Sequence, residues 1–286
     1  MILRFLALSA LFVAQDPPKP PEQGTPPAKA APAAQVEVKA TTLKRVCPDG
    51  VTLSGDFYDL PFASEERPTI VCFHMENGSR AEFAKIAPTF AVYACCTFAI
   101  DLRSGKASDG VANETAASAA SVLKKTSFTN AEAFADVVQG LKWARELRPS
   151  GKFFVLGSGS SAALVIKAVA STPGCADALL LFSPGEDVPG CSIATEAKKI
   201  AVPTYITCDG TISEAGRARS IGNAIGKQFR KMVIPLDVPG TARGSAVLVQ
   251  PDPALHERHW YSVLAMILKL APLTTPAAAD GPLKKN

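Results

Sequence analysis

The sequence VLGSGSSAALVIKAVA, residues 155–170, reads as a buried strand, a tight turn of glycine and serine, and then a helix. A nucleophilic serine is commonly carried at the apex of such a strained strand-to-helix turn, in the pattern G-x-S-x-G. Here the five positions are Gly157, Ser158, Gly159, Ser160 and Ser161. The first glycine is in place, but the apex two residues later is Gly159, which has no side chain. Two readings follow. In register, the turn has no nucleophile. Shifted by one, Ser158, Ser160 and Ala162 give small-x-Ser-x-small, with Ser160 as the attacking group. The shifted reading needs a strand one residue longer. It also needs a base from the three histidines, His74, His256 and His259. A serine in the first turn of a helix also has a plain role as a cap, which applies to Ser158 and Ser160 alike. A phosphate-binding turn is a weaker reading, because G-S-G-S-S lacks both the G-x-G-x-x-G spacing and a P-loop lysine.

Outward from the turn, strands and helices alternate. The short continuous apolar run at 69–73 predicts a strand buried on both faces, 97–100 reads as the next buried strand, and 153–156, 178–182, 204–207 and 232–236 read as further strands. Helical spacing is expected at 79–93, with Pro88 interrupting it, and at 131–147, 160–170, 194–199, 213–229 and about 260–270. Residues 102–115 read as a polar loop. Two leading strands, at 36–44 and 51–58, flank the turn Pro48-Asp49-Gly50. The pattern predicts an α/β fold with a mostly parallel central sheet and helices on both faces. The leading strands would extend it antiparallel at one edge. In such sheets ligands sit at the carboxyl ends of the strands. His256 and His259 are expected in the loop just before the last helix.

Composition bounds the rest. The chain has 286 residues, 47% hydrophobic and 20% charged, enough to bury one large core. A net charge of +4 is spread along the chain, which gives nucleic-acid binding no support. Residues 1–15 have Arg4 followed by an apolar run too short to span a bilayer and read as a secretory signal. Export is expected, with no transmembrane span. Residues 16–34 form a Pro/Ala-rich linker, residues 35–272 the folded domain, and residues 273–286 a loose tail. None of the seven cysteines shows a C-x-x-C spacing, and no cysteine stands at the elbow to act as a thiol nucleophile. Cys72, Cys95, Cys96 and Cys208 lie in or beside apolar strands, where a thiol acts as a small hydrophobe. No metal or cofactor is indicated.

The segments FHMENGSRAEFAKIAP (73–88), AIDLRSG (99–105), the elbow, LFSPGE (181–186) and GTARGS (240–245) together resemble the α/β-hydrolase superfamily. Within it the chain looks like exported, dienelactone-hydrolase-like bacterial proteins, over about residues 50–270. The resemblance implies a catalytic triad, and this chain departs from it. The nucleophile position falls on Gly159. The histidine of an H-G-S segment is replaced by Arg243. The acid is expected at Asp209, after the strand ending near Cys208. Arginine stays protonated and cannot act as the base. Serine, histidine and acid act as a unit, so the two losses together read as decay of the chemistry. A charge-assisted pair between Asp209 and Arg243 would then fill the vacated site.

The oxyanion donors would be the backbone N–H groups of Met75 and Ser160, which survive loss of side chains. His74, Asp101 and Glu186 are further pocket candidates at strand ends. His74 could orient the loop or serve as a base. Asp101 could pair with Arg103 in a solvated salt bridge, and Glu186 could simply be exposed. Asn77 and Asn113 begin glycosylation sequons that matter only in a eukaryotic secretory host. Two functions remain open. One is a non-catalytic, exported protein of this fold that binds a small molecule or a partner. The other is an active serine hydrolase on an ester, lactone or peptide, using Ser160 with Asp209 and His256 or His259.

Overall fold

The computed structural model describes residues 38–59, 66–234 and 242–272. The expected leader, linker and tail lie outside the described residues. Strands β1 (Ala40–Val46), β2 (Thr52–Tyr58), β3 (Thr69–Phe73), β4 (Cys96–Ile100), β5 (Phe153–Ser158), β6 (Ala178–Phe182), β7 (Thr204–Thr207) and β8 (Arg230–Val233) form one sheet in the order β1-β2-β4-β3-β5-β6-β7-β8. β1 and β2 are antiparallel at one edge, and β2 meets β4 antiparallel; every other pairing is parallel. The five strands from β3 to β7 are buried at every position, as their unbroken apolar runs require.

Side chains alternate between two cores. Val71, Phe73, Phe98, Ile100, Val155, Leu179, Leu181 and Ile206 pack with α3 (Asn130–Leu147), α4 (Ser160–Ser171), α5 (Ile193–Ala197) and α6 (Ile212–Ala224). Ile70, Cys72, Ala99, Phe154, Leu156, Leu180 and Tyr205 pack on the other face with α1 (Ala87–Val92) and α7 (Pro253–Leu270). There the Phe90 and Trp260 rings meet edge to face at 5.1 Å. Cys72, Cys95, Cys96 and Cys208 are buried free thiols, and the seven cysteines form no disulfide.

Several boundaries differ from the sequence reading, each for a local reason. The helix expected at 79–93 is split into a 3-10 turn, Arg80–Phe83, and α1, with Pro88 in the first turn of α1. Proline lacks an N–H and is tolerated there but not mid-helix. The loop expected to reach residue 115 ends at Asn113, whose side chain accepts the Ala116 N–H at 2.8 Å and starts α2 (Glu114–Leu123). That Asn113 is buried, so its sequon is not a surface feature. The last helix begins earlier than expected. Asp252 accepts the Ala254 N–H at 2.9 Å and Pro253 opens the first turn, a strong start signal. His256 and His259 are therefore inside α7 and not in a loop before it.

Candidate functional site

The elbow follows from close packing of helix on strand. A Cβ at Gly157 would meet the Ala162 backbone at 2.6 Å, so nothing larger than glycine fits where α4 turns back over β5. Gly159 forms the apex at φ 56°, ψ −126°, a conformation that side chains rarely adopt. Its N–H donates to the Phe182 carbonyl at 2.8 Å. Gly159, rather than a serine, stands at the N-cap of α4, with no side-chain cap bond. Ser158 ends β5 and accepts the Ser245 N–H at 2.8 Å. Ser161 donates its hydroxyl to the His74 carbonyl at 2.5 Å. The expected capping roles of Ser158 and Ser160 are thus not the ones these residues take: Ser158 holds the 243–245 segment, and Ser160 is the first helical residue.

Both oxyanion-type donors are occupied from within the chain. The Ser160 N–H donates to Glu76 Oε2 at 3.0 Å. The Met75 N–H donates to Glu82 Oε2 at 2.6 Å, while Glu82 Oε1 takes the Ser245 hydroxyl at 2.5 Å. Arg243 Nη1 forms an ion pair with Glu76 Oε1 and lies 3.5 Å from the Met75 sulfur. Arg243 Nε donates to Glu214 Oε1 at 2.7 Å, and Arg217 reaches the same oxygen at 3.0 Å. Charges therefore alternate across the mouth of the elbow, from Glu76 to Arg243 to Glu214 to Arg217. Burial raises the Glu214 carboxyl above its usual range, against the pull of Ser183 and Arg217. Burial lowers Arg243, which nonetheless has two carboxylates to hold its charge.

The structure brings Gly159, Met75, Ser160 and Arg243 together, with Asp209 near enough to act on the Glu214 carboxyl but forming no ion pair with Arg243 among the described residues. The expected Asp209–Arg243 pair is replaced by Arg243 with Glu76 and Glu214. Asp209 instead accepts the backbone N–H and hydroxyl of Thr211, at 2.9 and 2.6 Å, in a local turn. Glu214 escaped the sequence reading, although Thr211-x-x-Glu214 is a capping-box pattern that marks the start of α6. Thr211 does accept the Glu214 N–H at 3.4 Å, but the Glu214 side chain turns to Arg243 instead of reaching back. Glu76 carries no such signal, and only tertiary contact reveals it.

The histidines are committed elsewhere. His74 is buried, with Nε2 accepting the Leu102 N–H at 2.9 Å. The proton must then sit on Nδ1, which donates to the Met75 carbonyl at 2.7 Å. With both nitrogens used, His74 ties Met75 to Leu102. His259 bonds to the Tyr205 hydroxyl at 2.7 Å from the face opposite α4. Burial, helped by Arg258, pushes it down to about 4, so it is neutral. His256 bonds to the Gln250 carbonyl at 2.9 Å. Among the described residues neither hydrogen-bonds to Ser160.

The other pocket candidates are structural. Asp101 is buried against Arg80, accepting its N–H at 2.7 Å and its guanidinium at 2.6 Å. Arg103 forks onto buried Asp136 at 2.6 and 2.9 Å and reaches Asp49 at 2.7 Å. The expected solvated Asp101–Arg103 bridge is thus two separate buried pairs, as fork geometry favours. Glu186 accepts the Ile193 and Ala194 N–H groups at 2.5 and 2.8 Å and caps α5. Among the described residues no group of three or more metal-ligating side chains is arranged to hold an ion, and no helix is long and apolar enough to cross a membrane.

Solved structures share this architecture. A dienelactone hydrolase from Anabaena variabilis superimposes with a TM-score of 0.61 at 13% identity, over 81% of this chain and 98% of that one. The chain has the α/β-hydrolase fold. Est1E from Butyrivibrio proteoclasticus matches with a TM-score of 0.58 at 13% identity, over 80% and 98%. An esterase from Pyrococcus furiosus matches at 0.59 and 15%, over 81% and 92%. No family model and no curated protein matches the sequence. Within the α/β-hydrolase fold, the elbow after β5 and the 243–245 segment after β8 converge at the carboxyl ends of the strands, where that sheet type places ligands.

Proposed function

We propose that this chain is an exported α/β-hydrolase-fold protein that no longer performs serine acyl transfer at its elbow and serves to bind a small molecule or a partner. The observation that carries the reading is the Glu76 carboxylate on the Ser160 N–H beside a side-chain-free Gly159. Acyl transfer needs an attacking oxygen, a base and free donors where the oxyanion develops. Here the apex offers no oxygen, the base position holds Arg243, and both donors point at carboxylates. A bound carboxylate would also repel the negative charge that forms in the transition state. The fold neighbours named as dienelactone hydrolase and esterases support descent from an ester-cleaving scaffold.

The test is labelling of the purified protein with a fluorophosphonate probe, alongside hydrolysis of p-nitrophenyl acetate. No covalent label and no turnover above that of a Ser160→Ala variant are expected. Labelling that disappears in Ser160→Ala would overturn the reading and establish the serine-hydrolase alternative through Ser160.

A further inference from the structure

A cavity of about 360 Å³ opens between α3 and α4, at the far end of α4 from the elbow. The twelve residues of α4 set the two regions roughly 18 Å apart. Val138, Leu141, Lys142 and Arg145 face the cavity from α3. Their spacing of i, i+3, i+4 and i+7 is that of a stripe made to pack against a neighbouring helix. Opposite them stand Ala168, Thr172 and Gly174, residues too short to fill the space. A Cβ at Gly174 would meet nothing within 4 Å. Cys175 lines the same space and is only half-buried. The volume lies within the roughly 300–1,000 Å³ usual for small-molecule sites.

The floor is apolar and the rim is positive. Glu146 on the rim is already bound by Arg45, with Nη2 to Oε1 at 3.1 Å. The Arg145 guanidinium stacks on the Phe153 ring at 3.6 Å and bonds to the Gly151 carbonyl at 3.2 Å. Asp177 is held by Lys152 at 2.9 Å, with Arg145 at 3.9 Å. Arg45 and Lys152 are thus paired with Glu146 and Asp177, which leaves the cationic side chains of Lys142 and Arg145 on the rim. Lys142 is exposed and forms no ion pair among the described residues.

We propose that this cavity binds a small organic carboxylate with an apolar body, its tail against Val138, Leu141 and Ala168 and its head at the Lys142 ammonium. The Thr172 hydroxyl is a further donor on the rim. The tail is driven by apolar burial and the head by the Lys142 ammonium, whose neighbour Glu146 one turn away is already held by Arg45. The inference does not depend on whether the elbow is catalytic.

Octanoate is the probe. Isothermal titration calorimetry should show one saturable site per chain, tighter than about 1 mM. Lys142→Glu, an exposed change, should weaken binding at least about tenfold, the effect of roughly 1.4 kcal/mol. Ala168→Leu should abolish it by filling the floor. Octanoate should also slow alkylation of Cys175 by N-ethylmaleimide while leaving Cys191 unaffected, as read by peptide mapping. Absence of binding at about 10 mM, or equal binding by wild type and Lys142→Glu, would overturn the proposal. So would saturable binding that leaves Cys175 and Cys191 equally protected.

Discussion

The Glu76 carboxylate bridges the Ser160 backbone N–H, at 3.0 Å, and the Arg243 guanidinium. One side chain thereby occupies the N-terminus of α4 and neutralises the residue that stands where the resemblance expects a base. A helix N-terminus favours a negative charge, and the guanidinium adds to that preference. The N–H groups of Ser160 and Met75, the expected oxyanion donors, are satisfied by carboxylates of the chain itself, Glu76 and Glu82.

Restoring the serine alone should therefore fail. A Cβ at Gly159 would lie 2.6 Å from both Glu76 Oε2 and Met75 Cγ, and the backbone sits at φ 56°. Gly159→Ser should cost about 1–3 kcal/mol through backbone strain and displacement of those side chains. It should remain unlabelled by a fluorophosphonate, because Arg243 offers no basic nitrogen. Urea denaturation measures the first effect and in-gel fluorescence the second. Robust labelling of this single variant would show that a base is in reach after all.

Removing Arg243 leaves two carboxylates facing one another across the elbow, one of them nearly inaccessible. The Glu214 side chain is 7% exposed and that of Arg243 is 33%. Loss of one partner of a fully buried pair costs about 3–5 kcal/mol. The partial exposure of this one reduces the expectation for Arg243→Ala to about 1–3 kcal/mol. Adding Glu214→Gln should recover part of the loss, since the buried carboxylate, then held only by the half-exposed Arg217, no longer carries a charge. Equal stability of the single and double variants in urea would refute the coupling.

His259 should give the fold a measurable acid sensitivity. Its folded value is pushed down to about 4 by burial, against an ordinary value of 6.5. Between those limits the unfolded chain takes up a proton that the folded chain refuses, so stability is highest above pH 6.5 and falls as the pH drops towards 4. Urea midpoints measured from pH 8 to 4 should fall less steeply in His259→Gln, which removes the titrating ring. Identical pH profiles for variant and wild type would rule the contribution out.

Much of the fold was legible locally. Residues 69–73, 178–182 and 204–207 were delimited correctly, because apolar, β-branched and aromatic residues fill these strands while proline and glycine or charged residues flank them. Helix starts were harder where a cap decides them. The Asp252-Pro253 signal moved α7 seven residues upstream of the expected 260, and with it both histidines that had been set aside as bases. The glycine at the turn, Gly159, and the meeting of the 243–245 segment with that turn were also readable. Both lie in short segments whose neighbours fix their place.

By itself, then, the order of residues determined the alternation of strands and helices, and hence the sheet type and the elbow with Gly159 at its apex. These depend on spacing along the chain and on the absence of a side chain. What surrounds the elbow was decided only by the tertiary structure. Glu76 lies 84 residues from Ser160 and 167 from Arg243, and Asp209 and Glu214 are acids of equal local merit. Which carboxylate reaches a guanidinium depends on where the folded chain points it. Ion pairs between distant residues leave no periodic trace in a sequence.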